Sequence, residues 1–251
     1  MTLKEKIRAG ELTVGSWITL AHPAIAEIMS KAGFDWLTVD LEHSVITIRE
    51  AEELIRIIAL CGVVPLVRLS ANDPVQIKRV MDAGAHGIIV PMVNSVEEAI
   101  RAVESVSYPP GGKRGVGLAR AQGYGGSFER YREWIKKEPV VIVQVEHIKA
   151  VENPDAILST EGVDGFIVGP YDLSGSLGIP GEFEHPLMIE AVNKIENSIK
   201  PGSKPAGIHV VEPDIVQFQK YIQAGYRFMA YSLDTRMLDT SCRSALVQIR
   251  R

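Results

Sequence analysis

Eight short apolar runs recur along the 251 residues and alternate with segments of helical periodicity. They are Val14 to Ile18, Trp36 to Leu41, Val64 to Leu69, Gly87 to Val93, Val140 to Val145, Gly165 to Val168, Ala206 to Val210 and Phe228 to Ser232. Continuous apolar strands, in place of alternating ones, are what a parallel sheet covered by helices should show. The joints repeat too: Ala-Gly-Phe at 32–34, Cys-Gly-Val at 61–63, Ala-Gly-Ala at 83–85, Glu-Gly-Val at 161–163 and Ala-Gly-Tyr at 224–226. Each glycine suits a helix C-cap, with a strand starting a few residues on. Helix, glycine and strand repeated eight times predict one α/β domain over residues 1–251, a closed (β/α)8 TIM barrel. An open doubly wound sheet is the alternative.

A barrel commonly needs about 250 residues, and 46% hydrophobic content supplies its core. Net charge −4 gives no broad basic field, so neither nucleic acid nor an anionic membrane surface is an expected partner. Nor is there an apolar run of the roughly 20 residues a membrane span needs. Cys61 and Cys242 lie far apart, and MTLKEKIRAG lacks the apolar core of a leader, which together predict a cytoplasmic protein.

Two Gly- and Pro-rich segments, 107–128 and 169–186, break the short-loop pattern. Read as following strands, both are expected to rise from the C-terminal face of the barrel, where active-site loops belong. Arg114 and Arg120 in the first segment are therefore candidate substrate contacts.

Polar residues at the C-terminal ends of barrel strands look into the ligand site. Strand two ends in Asp40-Leu41-Glu42-His43, strand three in Arg68, strand five in Gln144-Val145-Glu146, and strand six runs into Gly169-Pro170-Tyr171-Asp172. Glu146 and Asp172 end neighbouring strands, and two unpaired carboxylates there would repel. A divalent cation resolves the conflict, and a hard oxygen site suits Mg²⁺, Mn²⁺ or Co²⁺. Such an ion can polarise the ketone of a 2-keto acid. Arg68 supplies a permanent positive charge for an enolate oxygen or a carboxylate. His43 is the natural proton carrier at neutral pH, with Asp40 or Asp82 to orient it. His22, His86, His147, His185 and His209 read as structural or peripheral, although His209 ends strand seven. No strand ends in the lysine that Schiff-base chemistry needs. The stretch Gly111 to Gly117 lacks the strand-to-helix setting of a dinucleotide fingerprint.

Across nearly its whole length the chain resembles the HpcH/HpaI aldolase family, the class II pyruvate aldolases. The likeness is carried by AGFDWLTVDLEH (32–43), VRLSANDPVQIKRVMDAGAHGIIVPMV (67–93), YPPGGKRGVG (108–117), VQVE (143–146) and EGVDGFIVGPYDLSGSLG (161–178). The resemblance implies a barrel of the phosphoenolpyruvate/pyruvate type that reversibly cleaves a 4-hydroxy-2-keto acid, such as a 2-keto-3-deoxy sugar acid, to pyruvate and an aldehyde. It implies Glu146 and Asp172 as metal ligands, His43 as base, Asp82 raising its basicity, and Arg68 stabilising the enolate. Gln144, Gly169, Pro170 and the backbone around Tyr171 and Asp172 would contact the pyruvate part, with Trp17 lining the site. The family further implies a hexamer, a trimer of dimers that exchange the helix near 234–250. Tyr171 stands where the family motif has alanine, and the loop 117–128 is distinctive. The alternatives are a related enolate enzyme, namely a CoA-ester lyase, a decarboxylase or a citrate-forming synthase, and a non-enzymatic keto-acid sensor.

Overall fold

In a computed structural model that describes residues 1–199 and 204–250, the strands close into a parallel barrel in the order β1-β2-β3-β4-β5-β6-β7-β8. They are β1 (Thr13–Ile18), β2 (Trp36–Asp40), β3 (Val64–Arg68), β4 (Gly87–Val90), β5 (Val140–Val145), β6 (Gly165–Val168), β7 (Ala206–Val210) and β8 (Phe228–Leu233). The helices are α1 (Leu3–Arg8), α2 (Pro23–Ser30), α3 (Ile48–Leu60), α4 (Pro74–Asp82), α5 (Val96–Val106), α6 (Phe128–Trp134), α7 (Ile148–Glu152), α8 (Pro154–Ser159), α9 (Pro170–Ser176), α10 (Pro186–Asn197), α11 (Ile215–Gln223) and α12 (Asp234–Ile249). The closed order excludes the open sheet. β4 is the one strand clearly shorter than its apolar run, because Pro91 follows it and cannot donate to the ladder.

The five glycines of the repeated joints, Gly33, Gly62, Gly84, Gly162 and Gly225, all have φ between 84° and 102°. This left-handed backbone is open to glycine at little cost, and it ends each helix where the next strand must start.

The barrel interior is filled by large side chains. Trp36 stacks on Phe228 with ring centroids 4.3 Å apart and meets Trp17 edge-on at 5.7 Å. Leu66, Ile89, Ile142 and Ile167 complete that inner cluster, and Leu3 and Ile7 of α1 close its N-terminal end. Gly15 makes room for Trp36: a Cβ there would lie 2.1 Å from the indole. A separate apolar layer lies between strands and helices, to which α3 adds Ala51, Leu54, Ile55 and Ile58 at helical spacing.

One expectation about the loops is corrected. Residues 107–128 do not follow a strand: α5, capped by the Ser95 hydroxyl on Glu98 N–H, intervenes after β4 and returns the chain to the N-terminal face. The segment therefore begins at the end opposite the strand termini that carry the polar residues. Residues 169–186 do leave a strand directly, with α9 starting at the C-terminal end of β6.

α12 leaves the end of β8 and packs chiefly on β8 and β1, leaving Leu238, Leu246, Val247 and Ile249 exposed. Its first residue, Asp234, accepts hydrogen bonds from Thr19 N–H, Leu20 N–H and the Thr19 hydroxyl at 2.6–2.8 Å, which ties the helix to the end of β1. Among the described residues, no helix is long and apolar enough to cross a membrane.

Candidate active site

At the C-terminal end of the barrel a cavity of about 410 Å³ is lined by Trp17, Asp40, His43, Arg68, Gln144, Glu146, Gly169, Pro170, Tyr171, Asp172 and His209. Parallel pairing brings these positions together, because Asp40 lies opposite Arg68 across β2–β3 and Gln144 opposite Ile167 across β5–β6.

Asp40 is buried, and its carboxylate accepts from Arg68 Nε at 2.9 Å and Arg68 Nη2 at 2.6 Å. The same Asp40 also accepts from the backbone N–H of Glu42 at 3.0 Å and of His43 at 3.3 Å. Asp40 thus fixes the guanidinium and folds the turn that carries His43. The imidazole itself is well exposed at the rim, with Glu42 3.9 Å away. Arg68 also lies over the ring of Trp17, 5.5 Å from its centroid. A planar cation so held can meet developing negative charge without rearranging.

Glu146 is almost wholly buried, yet among the described residues no lysine, arginine or histidine pairs with it. Met92 N–H donates to Oε1 at 2.6 Å, and Gln144 Nε2 donates to Oε2. Met92 reaches it from the left-handed region, at φ 53°. Burial drives the Glu146 carboxyl up to about 7, with Glu42 and Asp172 adding to the rise. Glu42 is likewise pushed up to about 7 by burial, against the pull of Arg68 at 3.2 Å. Asp40 and Glu42 share Arg68, whereas among the described residues Glu146 and Asp172 have no cationic side chain beside them, a deficit that a dication could fill. Gly169 permits the approach: a Cβ there would stand 2.6 Å from Glu146 Oε2. Among the described residues no three His, Cys, Asp or Glu side chains are arranged to hold a metal. Glu146 and Asp172 are the two carboxylates lining the cavity that no described arginine grips, and together with water and ligand they could hold a hard cation.

His209 stacks on Trp17 with centroids 4.6 Å apart and planes 10° apart. Its Nε2 lies 2.9 Å from the carbonyl of Ser232, whose φ is 51°. Burial lowers the imidazole to about 4.

Three sequence candidates lie elsewhere. Asp82 is the last residue of α4, at the N-terminal face, and pairs with Arg114 at 3.0 Å. Among the described residues no hydrogen bond or ion pair joins it to His43. Arg114 is buried beneath the 107–128 segment, donating to Val106 carbonyl and to the hydroxyls of Tyr108 and Tyr131. Arg120 donates to the Ala83 carbonyl at the end of α4. None of the three lines the cavity, since each sits at the far ends of helices α4 and α5. Conversely, His209 lines it, and Glu42 stands behind it against Arg68. Both end apolar runs, so position pointed to them, but their partners come from distant strands.

The sequence signature of the HpcH/HpaI aldolase/citrate lyase family matches residues 13–240. The chain belongs to this family. It is 37% identical over 239 residues to a hydroxypyruvate/pyruvate aldolase of Roseobacter denitrificans, covering 94% of this chain and 92% of that one. It is 36% identical over 240 residues to a 4-hydroxy-2-oxo-heptane-1,7-dioate aldolase of Escherichia coli, covering 94% and 90%. A crystal structure of an HpcH/HpaI family protein from Burkholderia cenocepacia superposes with a TM-score of 0.93 at 33% identity, over 99% of each chain. These relatives bear the names of carbon–carbon lyases, and this HpcH/HpaI member is an enzyme of that kind.

Proposed function

We propose that the protein is a class II aldolase that reversibly cleaves a 4-hydroxy-2-oxo acid to pyruvate and an aldehyde. The observation that carries this reading is the buried Glu146, which has no cationic partner among the described residues and lines one cavity with the clamped Arg68 and with Asp172. Glu146 and Asp172 would hold Mg²⁺, Mn²⁺ or Co²⁺, which would supply Lewis-acid polarisation of the 2-oxo acid.

The chain's own residues do the rest. His43, at the open rim, takes the proton of the C4 hydroxyl. As the C3–C4 bond breaks, its electrons pass to the C2 oxygen, and Arg68, immobilised by Asp40, meets that charge. C4 leaves as the aldehyde carbonyl, and the proton held by His43 is returned to C3 to complete pyruvate. Gln144, which is hydrogen-bonded to Glu146, and the α9 start at Gly169–Pro170 border the pyruvate part. Within one chain Asp82 and His43 sit at opposite ends of the barrel, so an effect of Asp82 on His43 requires an interface between copies.

An oligomer fits the exposed apolar residues of α12, which an exchange of that helix between subunits of a hexamer would cover. Light scattering on the whole chain and on a chain ending at residue 233 tests this, with dissociation expected. Exposed free Cys61 and Cys242 suit the cytoplasm. A CoA-ester substrate would call for basic residues at the mouth to meet its phosphates, a place that Arg114, Arg120 and Lys113 could fill only if their segment rose there. Their segment starts from the opposite face, and Lys113 pairs with Glu104, so that reading loses its support.

The deciding experiment measures pyruvate release from 4-hydroxy-2-oxo acids before and after chelation. Loss with chelator and recovery with Mn²⁺, Co²⁺ or Mg²⁺ are expected. Unchanged turnover in excess chelator overturns the proposal.

A further inference from the structure

His209 carries a hydrogen-bonding atom that the reaction just described leaves unused. The Ser232 carbonyl can only accept, so the 2.9 Å contact places the ring proton on Nε2. Nδ1 is then a bare acceptor, and among the described residues it has no hydrogen-bond partner. The ring is held in place. It stacks on Trp17, and the carbonyl that anchors it also accepts from the Ser16 hydroxyl, while Ser232 Oγ donates to Val211 carbonyl. Burial, with Arg68 nearby, keeps the imidazole neutral, so Nδ1 keeps its lone pair throughout the neutral range. The stacked Trp17 presents the complementary deficit, because its buried Nε1–H has no acceptor.

The groups of an oxo acid that the site already addresses, its carboxylate and ketone oxygens, have no proton to offer Nδ1. The C4 hydroxyl gives its proton to His43. Among the substrate's own groups only a further hydroxyl can donate to Nδ1, and the same group can accept from an indole N–H. We propose that His209 is a specificity-determining residue whose Nδ1 accepts a hydrogen bond from a substrate hydroxyl beyond the one on the cleaved bond. This inference rests on the aldolase reading and narrows it to polyhydroxylated substrates, of the sugar-acid kind, over plain alkyl or dicarboxylate chains. A site built to bond a hydroxyl rejects the analogue lacking it, because its own polar atom is left unpaired.

The test uses the metal-loaded full chain and substrate pairs that differ by one hydroxyl. These are glycolaldehyde against acetaldehyde and glyceraldehyde against lactaldehyde, each with pyruvate, and hydroxypyruvate against pyruvate with one fixed aldehyde. The quantity read is the ratio of kcat/KM within each pair, compared between wild type and His209→Phe, which keeps a ring against Trp17 but has no acceptor. Intrinsic reactivity cancels in this comparison. At least one ratio is expected to fall about 5-fold or more, the effect of one hydrogen bond. His209→Asn, whose amide oxygen can stand in for Nδ1, is expected to restore part of it. His209→Leu serves the same comparison if the Phe variant does not fold. Ratios unchanged in the variants, with wild type active, overturn this inference alone. Absence of any aldol product from wild type overturns the aldolase reading and this inference with it.

Discussion

Asp40 grips Arg68 through both carboxylate oxygens, at 2.9 Å from Nε and 2.6 Å from Nη2, across neighbouring strands of the barrel. The fork geometry sets the plane of the guanidinium, which lysine cannot reproduce. Asp40→Asn should therefore lower kcat roughly 10- to 100-fold with a smaller change in KM, as expected when a group acts mainly in the transition state. Arg68→Lys should not recover the rate. Steady-state kinetics on both variants check this, and a normal kcat in Asp40→Asn contradicts it.

Gly169 faces Glu146 so closely that a single methyl group would sit 2.6 Å from Oε2. Its φ of −103° is open to alanine, so backbone strain plays no part in the substitution. Gly169→Ala should displace the carboxylate and weaken Mn²⁺ binding about 10-fold or more, on the scale of lost support to a metal ligand. Calorimetric titration with Mn²⁺ reads this directly, alongside a thermal midpoint expected to move little.

Arg114 is a buried structural cation, with Asp82 at 3.0 Å and two tyrosine hydroxyls in reach. Removing it strands Asp82 and Val106 carbonyl. Arg114→Leu should cost about 3–5 kcal/mol, the usual penalty for breaking a buried pair. Urea unfolding measures the loss. A stable Arg114→Leu with raised KM would instead restore this arginine to the substrate site.

Protonation of His209 links the site to acid stability. Its folded value of about 4 lies below the ordinary 6.5, so the unfolded chain binds more protons between these limits. The stabilising contribution is complete above about pH 6.5 and drains as pH falls towards 4, at up to about 1.4 kcal/mol per pH unit. Unfolding free energies from pH 7 to 4.5 should fall more steeply for wild type than for His209→Phe. Parallel curves would show that His209 does not titrate in this way.

The barrel was legible because its strands are continuous apolar runs and its helices end on glycines that proved left-handed. The mouth was legible from one rule, since Asp40, Arg68, Glu146 and Asp172 all stand at or just beyond strand ends. The rule fails for Arg114 and Arg120 because it needs to know whether a helix lies between strand and loop. The apolar run Gly87 to Val93 extends past the true end of β4, and this masks the helix that starts at Val96. Asp82 was preferred to Asp40 on family likeness alone, which carries no information on which end of α4 it occupies. Glu42 and His209 depend on contacts made after folding: a buried acid beside Arg68, and a ring proton fixed by a carbonyl 23 residues away.

Met92 and Ser232 adopt φ of 53° and 51°, a conformation that costs an ordinary L-residue about 1–2 kcal/mol. Each aims one main-chain group: an amide at Glu146, a carbonyl at His209. A redesign for heat tolerance would select glycine at both positions, where relaxation of the backbone is cheapest. Those are the two exchanges such a programme should refuse, because the more durable enzyme they yield would have slackened the supports of its own chemistry.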